Sequence, residues 1–118
     1  MNLETIAAKL ALKSLTPDLA GADDTEVTAG YASDLLSDVL ANAPEGGVLV
    51  TLQVHLNVVA VASHAELAGV IFSSGRVPDA EVIAKAVAED LRLYATDADT
   101  FEVVGRLFAL GVSSGRGG

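Results

Sequence analysis

Four groups of polar residues interrupt an otherwise aliphatic chain, and one of them contains the side chain best suited to binding a small anion. Arg76 follows Ser73, Ser74 and Gly75, and it is one of seven lysines and arginines against sixteen aspartates and glutamates. A guanidinium can hold a phosphate or a carboxylate through two parallel hydrogen bonds. Simple solvation explains Arg76 equally well. We favour it as the anion contact, with the solvated interpretation left open.

The two histidines are candidates for an acid, a base or a metal ligand. Neither His55 nor His64 stands in a spacing typical of such sites, so a structural or solvated role is the commoner interpretation. His55 is the better candidate because the element prediction below places it at an edge of the sheet. An enzymatic interpretation would need His55 as acid or base with Asp34 or Asp97 beside it.

Motifs for catalysis and for cofactor binding are scarce. The sequence has no G-x-x-x-x-G-K-[ST] phosphate-binding loop, and its one G-x-G begins at Gly115, near the end of the chain. The chain has no cysteine, which excludes thiolate nucleophiles and Cys-based metal sites. Asp34 and Asp38 lie one helical turn apart and could bind hydrated Mg²⁺, but such pairs are more often solvated surface. We therefore predict no enzymatic activity, no cofactor and no metal site.

Composition and charge exclude several classes of partner. Hydrophobic residues make up 51% of the 118 residues but aromatics only 4%, so one core of Val, Leu, Ile and Ala is expected. A formal charge of -9, with no two basic residues adjacent, is the wrong sign for binding nucleic acid or an anionic membrane. The uncharged stretch 46–65 holds too many polar residues for a membrane span, and no secretory signal is visible, so a cytoplasmic location is expected.

Strand and helix patterns alternate along the chain. Apolar runs bounded by turn residues predict four strands: residues 27–31, 48–52, 70–73 and 91–95. Helical spacing of apolar residues predicts five helices: residues 3–12, one that begins at about 35, about 57–68, one that begins at about 80, and one that ends at 110. We expect Ser33 or Asp34 to cap the second helix and Asp79 to cap the fourth. The capping box Asp99–Glu102 is expected to open the fifth. Residues 58–62 also have strand propensity, but a helix fits the crossover that parallel strands need.

This alternation predicts an α/β fold with three layers: an open, mostly parallel sheet with helices on both faces. We expect a single domain over residues 1–112. The tail from Ser113 to Gly118 is rich in glycine and serine and is expected to be flexible.

In an open parallel sheet, ligands bind beyond the carboxyl ends of the strands, where helix N-termini expose free N–H groups. The four polar groups fall in those turns: Ser33 and Asp34; Gln53, His55 and Asn57; Ser73 to Arg76; and Thr96, Asp97, Asp99 and Thr100. Helix capping alone explains Ser33, Asp34 and Asp99. The expected ligand-binding residues are therefore Gln53, His55, Asn57, Ser73, Ser74, Gly75, Arg76, Thr96 and Thr100.

The second half of the chain resembles the DRTGG domain. In that family a Thr-Gly-Gly turn precedes a helix started by proline, and a strand ending in Thr is followed by Asp-Thr-Phe at the start of the last helix. Ser73-Ser74-Gly75 with Pro78, and Thr96 with Asp99-Thr100-Phe101, occupy those places here. Residues 31–43 and 51–60 are similar to the stand-alone, single-domain members. The family's Asp-Arg pair is replaced around Val54-His55, and its Thr-Gly-Gly by Ser73-Ser74-Gly75.

The resemblance implies an α/β regulatory or accessory domain. DRTGG domains are attached to phosphotransacetylases and to CBS-containing pyrophosphatases, and they are related to the amino-terminal part of HPr kinase/phosphorylase. Stand-alone copies are sometimes labelled as HPr serine kinase homologues, an activity that we do not expect without a kinase domain.

Two interpretations of function stay open on the sequence. The first is a non-catalytic, ligand-sensing or regulatory domain that binds a small anionic metabolite or nucleotide. The alternative is a structural module in which apolar residues of short helices form a homodimer or dock a partner enzyme. The resemblance makes a homodimer plausible in either case.

Overall fold

The computed structural model describes residues 1–19 and 25–115, and strands and helices alternate through this part of the chain. Its five strands are β1 (Lys13–Ser14), β2 (Ala29–Ala32), β3 (Gly47–Thr51), β4 (Gly69–Phe72) and β5 (Arg92–Ala95). Its α-helices are α1 (Leu3–Lys9), α2 (Leu36–Asn42), α3 (Asn57–His64), α4 (Ala80–Ala88) and α5 (Thr100–Ala109), and a short 3-10 helix spans Pro17–Leu19.

The strands form one sheet in the order β1-β5-β4-β3-β2. The four strands from β2 to β5 run parallel, and β1 pairs antiparallel with β5 through Lys13 opposite Ala95. A helix joins each consecutive pair of parallel strands, as a parallel crossover requires. The predicted mostly parallel sheet is confirmed, and so is the helical assignment of residues 57–64.

Helices cover both faces of the sheet, which confirms the three-layer α/β prediction. On one face α2, α3 and α4 pack against Leu49, Val70 and Phe72 in the larger buried cluster. On the other face α1 and α5 pack against Val50 and Ile71. All residues of β3, β4 and β5 are buried, as expected for strands covered on both sides.

Gly69 permits the close approach of α1 to the sheet. A Cβ atom at this position would lie 2.7 Å from Leu3 Cδ2 and 2.9 Å from the Arg92 carbonyl oxygen. Any other residue here would push the helix or the neighbouring strand away.

Three details differ from the sequence predictions. β1 was not predicted, because two residues without alternation give no strand pattern. The strand predicted over 27–31 is displaced to Ala29–Ala32. The N-cap of α2 is Leu35, without a side-chain cap, so neither Ser33 nor Asp34 caps the helix in the expected way.

The tail predicted from Ser113 is only partly within the described residues, since 116–118 lie outside them. Its first residue contacts the sheet: the Gly30 N–H donates to the Ser113 carbonyl at 2.7 Å. Flexibility of the tail and the domain limit at residue 112 remain predictions.

Candidate ligand site at the carboxyl edge of the sheet

The parallel strands β2 to β5 end side by side, after Ala32, Thr51, Phe72 and Ala95. We call this side of the sheet the carboxyl edge. Because the strands are parallel and adjacent, all four polar groups that the sequence singled out lie along it. Their positions along the edge nevertheless differ, and the groups after β4 and β5 interact most closely.

Hydrogen bonds join the loop after β4 to the loop after β5. The fully buried Ser73 has its Oγ 2.6 Å from Thr100 Oγ1. The Ser74 N–H donates to the Ala98 carbonyl at 2.8 Å, and the Gly75 N–H donates to the Thr96 carbonyl at 2.9 Å. These bonds fix the two loops as one unit.

Ser74 and Gly75 both adopt left-handed backbone conformations, with φ of 58° and 71°. Glycine takes this conformation readily, and at a serine it is uncommon. The turn therefore doubles back sharply, and a Cβ at Gly75 would lie 3.4 Å from Asp97 Oδ1. Arg76 follows this turn as an exposed cation.

The polar residues after β3 form hydrogen bonds mainly with one another, within their own turn. The Gln53 side-chain oxygen accepts from the His55 N–H at 3.2 Å, and His55 Nδ1 accepts from the Asn57 N–H at 3.1 Å. Among the described residues, no hydrogen bond joins His55 to Asp34 or Asp97. The geometry therefore offers no support for His55 as an acid or base.

Asp34 links β2 to β3 instead of capping α2. Its Oδ1 accepts from the Leu52 N–H at 2.7 Å and from the Thr51 hydroxyl at 3.2 Å. Asp38 accepts from the Tyr31 hydroxyl at 2.8 Å and from the Asn42 amide at 2.9 Å. Both carboxylates are thus engaged in protein contacts, and residues 1–19 and 25–115 contain no group of three or more His, Cys, Asp and Glu that could hold a metal ion.

An open depression of about 720 Å³ lies at the β1 and β5 end of the carboxyl edge. Its lining combines apolar side chains, the two linked loops, one carboxylate and two cations: Leu10, Ala11, Lys13, Gly75, Val77, Ala95, Thr96, Asp97, Ala98 and Arg106. Of the nine predicted ligand-binding residues, Gly75 and Thr96 line it directly. Ser73 and Thr100 join its loops, and Ser74 and Arg76 flank Gly75 in the same turn.

Lys13 and Arg106 are the functional candidates that sequence analysis missed. Lys13 reaches the depression because β1 pairs with β5, and Arg106 because α5 begins at the carboxyl edge. Arg106 Nε also donates to Glu102 Oε1 at 3.1 Å. No pattern in the sequence relates positions 13 and 106, so only the fold could bring them together.

Residues 111–115 match the G-x-S-x-G pattern of a nucleophile elbow, a motif that the sequence analysis did not identify. Such an elbow joins a strand to a helix, whereas this run follows α5 and contacts β2 through the Ser113 carbonyl. The context for an activated serine is missing, and the match carries no catalytic argument.

In the described part of the chain, no helix is long and apolar enough to cross a membrane.

Comparison with known proteins supports the fold. No family model and no curated protein matches the chain. A solved structure does: the CBS and DRTGG domains of the regulatory region of Clostridium perfringens pyrophosphatase, complexed with the activator diadenosine tetraphosphate. The two structures align with a TM-score of 0.67 at 14% sequence identity. The alignment covers 97% of this chain and 48% of the pyrophosphatase chain, so this chain spans about half the length of that neighbour. The likeness supports a DRTGG-like fold for this protein.

Proposed function

We propose that the chain is a non-catalytic regulatory domain that binds a small anionic metabolite or nucleotide at the carboxyl edge. The observation that carries the proposal is the depression beside the loops after β4 and β5. Two of the seven cations of this acidic chain, Lys13 and Arg106, line it. Binding sites of this fold class lie at the same edge.

Each part of the depression has a complementary part in such a ligand. Lys13, Arg106 and the neighbouring Arg76 attract phosphate or carboxylate oxygens. Val77, Leu10 and Ala95 offer apolar surface to a base or an acyl group. The Asp97 carboxylate repels any anionic group of the ligand that comes close to it, and it can accept hydrogen bonds from the ligand's hydroxyl or amino groups.

The remaining predicted residues have different parts in this proposal. Ser74, Gly75, Arg76 and Thr96 contact the ligand. Ser73 and Thr100 are positioning residues that hold the two loops together. Gln53, His55 and Asn57 form the adjoining β3 turn, where a long ligand would extend.

The solved neighbour supports the class of function. It is a regulatory region, and it was crystallised with a nucleotide activator. A cytoplasmic regulatory domain attached to, or docking on, an enzyme is the corresponding role for this chain.

A thermal-shift series tests the proposal. Pyrophosphate, ADP, ATP and a dinucleoside polyphosphate are added at increasing concentration, and at least one should raise the melting temperature. A ligand that binds only the folded state stabilises it by about 3 kcal/mol at a hundredfold excess over Kd. No shift with any of these probes would contradict an anion or nucleotide site.

Charge-removal variants locate the site. Lys13→Ala and Arg106→Ala should each weaken binding roughly tenfold, a loss of about 1.4 kcal/mol. Lys85→Ala is the matched control, because Lys85 pairs with Glu89 on the opposite helix layer, 3.4 Å apart. Equal effects of all three variants would indicate nonspecific attraction and would remove the depression as the site.

The alternative is a structural module without a small-molecule ligand. The observation that favours it is the exposure of two phenylalanines on α5, Phe101 at 87% and Phe108 at 71%. Both roles can coexist, since that surface and the carboxyl-edge depression have different linings.

A further inference from the structure

The carboxyl-edge depression holds two opposite charges that do not pair with each other. Lys13 lines it from β1, and Asp97 lines it from the loop after β5. Within residues 1–19 and 25–115, neither the Lys13 ammonium nor the Asp97 carboxylate has a hydrogen bond or an ion pair. Exposed charges are ordinarily solvated, so the place at which the Asp97 carboxylate is held decides whether it has a further role.

The order of the strands keeps these two charges apart. β5 lies between β1 and β4 in the sheet, and Lys13 is paired with Ala95 on the β1 side. On the β4 side, Asp97 Oδ1 lies 3.4 Å from the position that a Cβ of Gly75 would take. The carboxylate therefore leans over the turn after β4, whereas the ammonium group belongs to the strand on the other side of β5.

Hydrogen bonds on both sides of Asp97 fix its backbone. The Thr96 carbonyl accepts from the Gly75 N–H at 2.9 Å. The Ala98 carbonyl accepts from the Ser74 N–H at 2.8 Å, and the Ala98 N–H donates to Thr96 Oγ1 at 3.2 Å. A ligand that binds the Asp97 carboxylate therefore orders little of the chain, which lowers the entropic cost of binding. Gly75 has no side chain that would cover the carboxylate.

The other polar and apolar parts of the depression define the rest of a matching ligand. Lys13 on β1 and Arg106 on α5 supply positive charge. Leu10 and Ala98 line the same depression with apolar side chains. A ligand that complements all of these groups has an anionic group at one end, hydrogen-bond donors at the other, and an uncharged body between them.

We propose that the depression binds a phosphate ester of ribose and that Asp97 selects its 2′ and 3′ hydroxyl groups, an inference that rests on the ligand site proposed above. An ionised carboxylate only accepts hydrogen bonds, and its two oxygens can accept one from each of two neighbouring hydroxyls. The phosphate then lies towards Lys13 and Arg106. Asp97 is thus the specificity-determining residue of the site. A free sugar phosphate and a ribonucleotide share this chemistry.

Two other classes of anionic ligand fit these charges less well. Inorganic pyrophosphate and acyl phosphates bring no pair of hydroxyls to Asp97, whose negative charge repels their own. A zwitterion would place its ammonium group against Asp97, but Arg76 follows Gly75 in the same turn and opposes a further positive charge there. Hydroxyl groups are neutral and avoid both penalties.

Calorimetric titration with ADP, 2′,3′-dideoxy-ADP, ribose 5-phosphate and pyrophosphate tests the selection of hydroxyls. ADP should bind at least about tenfold more tightly than its dideoxy analogue, because hydrogen bonds to a charged acceptor are among the stronger ones. Ribose 5-phosphate that binds as tightly as ADP would identify a free sugar phosphate as the source of the ribose, and weaker binding would identify a nucleotide. Equal affinities for ADP and dideoxy-ADP would overturn this inference and leave the ligand site standing. No binding of any probe would contradict the site itself, and this inference with it.

Asp97→Asn tests the residue to which the selection is assigned. Asp97 is exposed, so the variant should fold as the native chain does, with an unchanged circular dichroism spectrum. Hydrogen bonds to a neutral acceptor are roughly half as strong as those to a charged one, so the tenfold preference for ADP should fall to about threefold. Pyrophosphate should bind at least as tightly as before, because a repelling charge is gone. These opposite effects on two ligands distinguish selection by Asp97 from general damage to the site.

Asp90→Asn is the matched control, since it changes the net charge of the chain by the same amount. Asp90 is also exposed and lies between α4 and β5, where β5 begins. Its backbone is left-handed, with φ of 57°, a conformation that asparagine tolerates. This variant should leave all four affinities unchanged. A preference for ADP that persists in Asp97→Asn, or one that falls equally in Asp90→Asn, would overturn the assignment.

Discussion

The Ser73 hydroxyl is the buried polar atom on which the candidate site depends most. Its Oγ lies 2.6 Å from Thr100 Oγ1, and Ser73 has no solvent-exposed surface. A buried hydroxyl without a partner costs about 1–3 kcal/mol, whereas the net worth of the bond is about 1 kcal/mol. The pair therefore fixes the loops after β4 and β5 at a modest gain in stability.

We expect Ser73→Ala and Thr100→Val each to lower the free energy of unfolding by about 1 kcal/mol. The double variant should lose less than the sum of the two, by about 0.5–1.5 kcal/mol, because both single changes break the same bond. Urea denaturation of the four proteins measures this coupling. Strict additivity would show that the two hydroxyls do not interact.

A second residue pair lies at the amino edge of the sheet, away from the site. The pKa of Glu45 is raised because its side chain shares a hydrogen bond with Glu66, whose negative charge also opposes ionisation of Glu45. A raised pKa in the folded state gives a contribution that is present below the unfolded pKa and is lost as pH rises through the folded value. The pair therefore favours the folded state more under acidic than under neutral conditions.

Glu66→Gln should lower the pKa of Glu45 towards its ordinary value, since the neighbouring charge is removed. An NMR titration of the side-chain carboxyl carbon measures it directly. Glu89→Gln, a change at an exposed glutamate that pairs with Lys85, serves as the control and should leave the pKa of Glu45 where it is. An unchanged pKa in Glu66→Gln would mean that the two carboxylates do not meet.

Residue types alone did not reveal these roles. Asp34 is a good helix cap by type, but its carboxylate accepts from the N–H of Leu52, which is eighteen residues away and directly follows β3. Capping and cross-strand acceptance use the same chemistry, so the sequence could not separate them. At Asp99, by contrast, the predicted cap is confirmed, because acceptor and donor are only three residues apart.

Among the helices, α4 and α5 provide a matched pair for the energy of capping. Asp99 accepts from the Glu102 N–H at 2.8 Å, whereas Asp79, at the same position of α4, makes no side-chain cap bond. We expect Asp99→Ala to cost about 1 kcal/mol of stability. Asp79→Ala should cost no more than about 0.5 kcal/mol, since only the favourable interaction with the helix dipole is lost.

Denaturation midpoints at unchanged slope measure the two capping variants. If Asp79→Ala proves as destabilising as Asp99→Ala, the hydrogen bond is not the source of the effect.

Most elements could be predicted because their signals are local. The apolar runs at 48–52 and 70–73 are flanked by turn residues, and they overlap β3 and β4. The assignment of α3 needed topology as well as pattern, since its valines favour a strand and only the parallel crossover requires a helix. β1 had neither kind of signal, because its two residues become a strand only by pairing with β5.

For the molecule as a whole, the prediction that polar loops meet at one edge follows from parallel strands. Of the residues predicted at this edge, Gly75 and Thr96 line the depression, and Arg76 follows Gly75 in the same turn. Lys13 and Arg106, the two cations that line the depression, come from opposite ends of the chain. Long-range pairing of this kind leaves no trace in one sequence, which is why the sequence pointed to only part of the lining of this candidate site.

A titration of the isotope-labelled protein with ADP, followed through its backbone amide signals, tests the central proposal most directly. Binding at the carboxyl edge predicts progressive, saturable shifts at Gly75, Thr96 and Asp97, with none at Gly46 and Glu66 on the amino edge. Lys13→Ala should reduce the shifts at each ADP concentration. Unchanged spectra with ADP, or shifts confined to the amino edge, would contradict a nucleotide-sensing site at the ends of these strands.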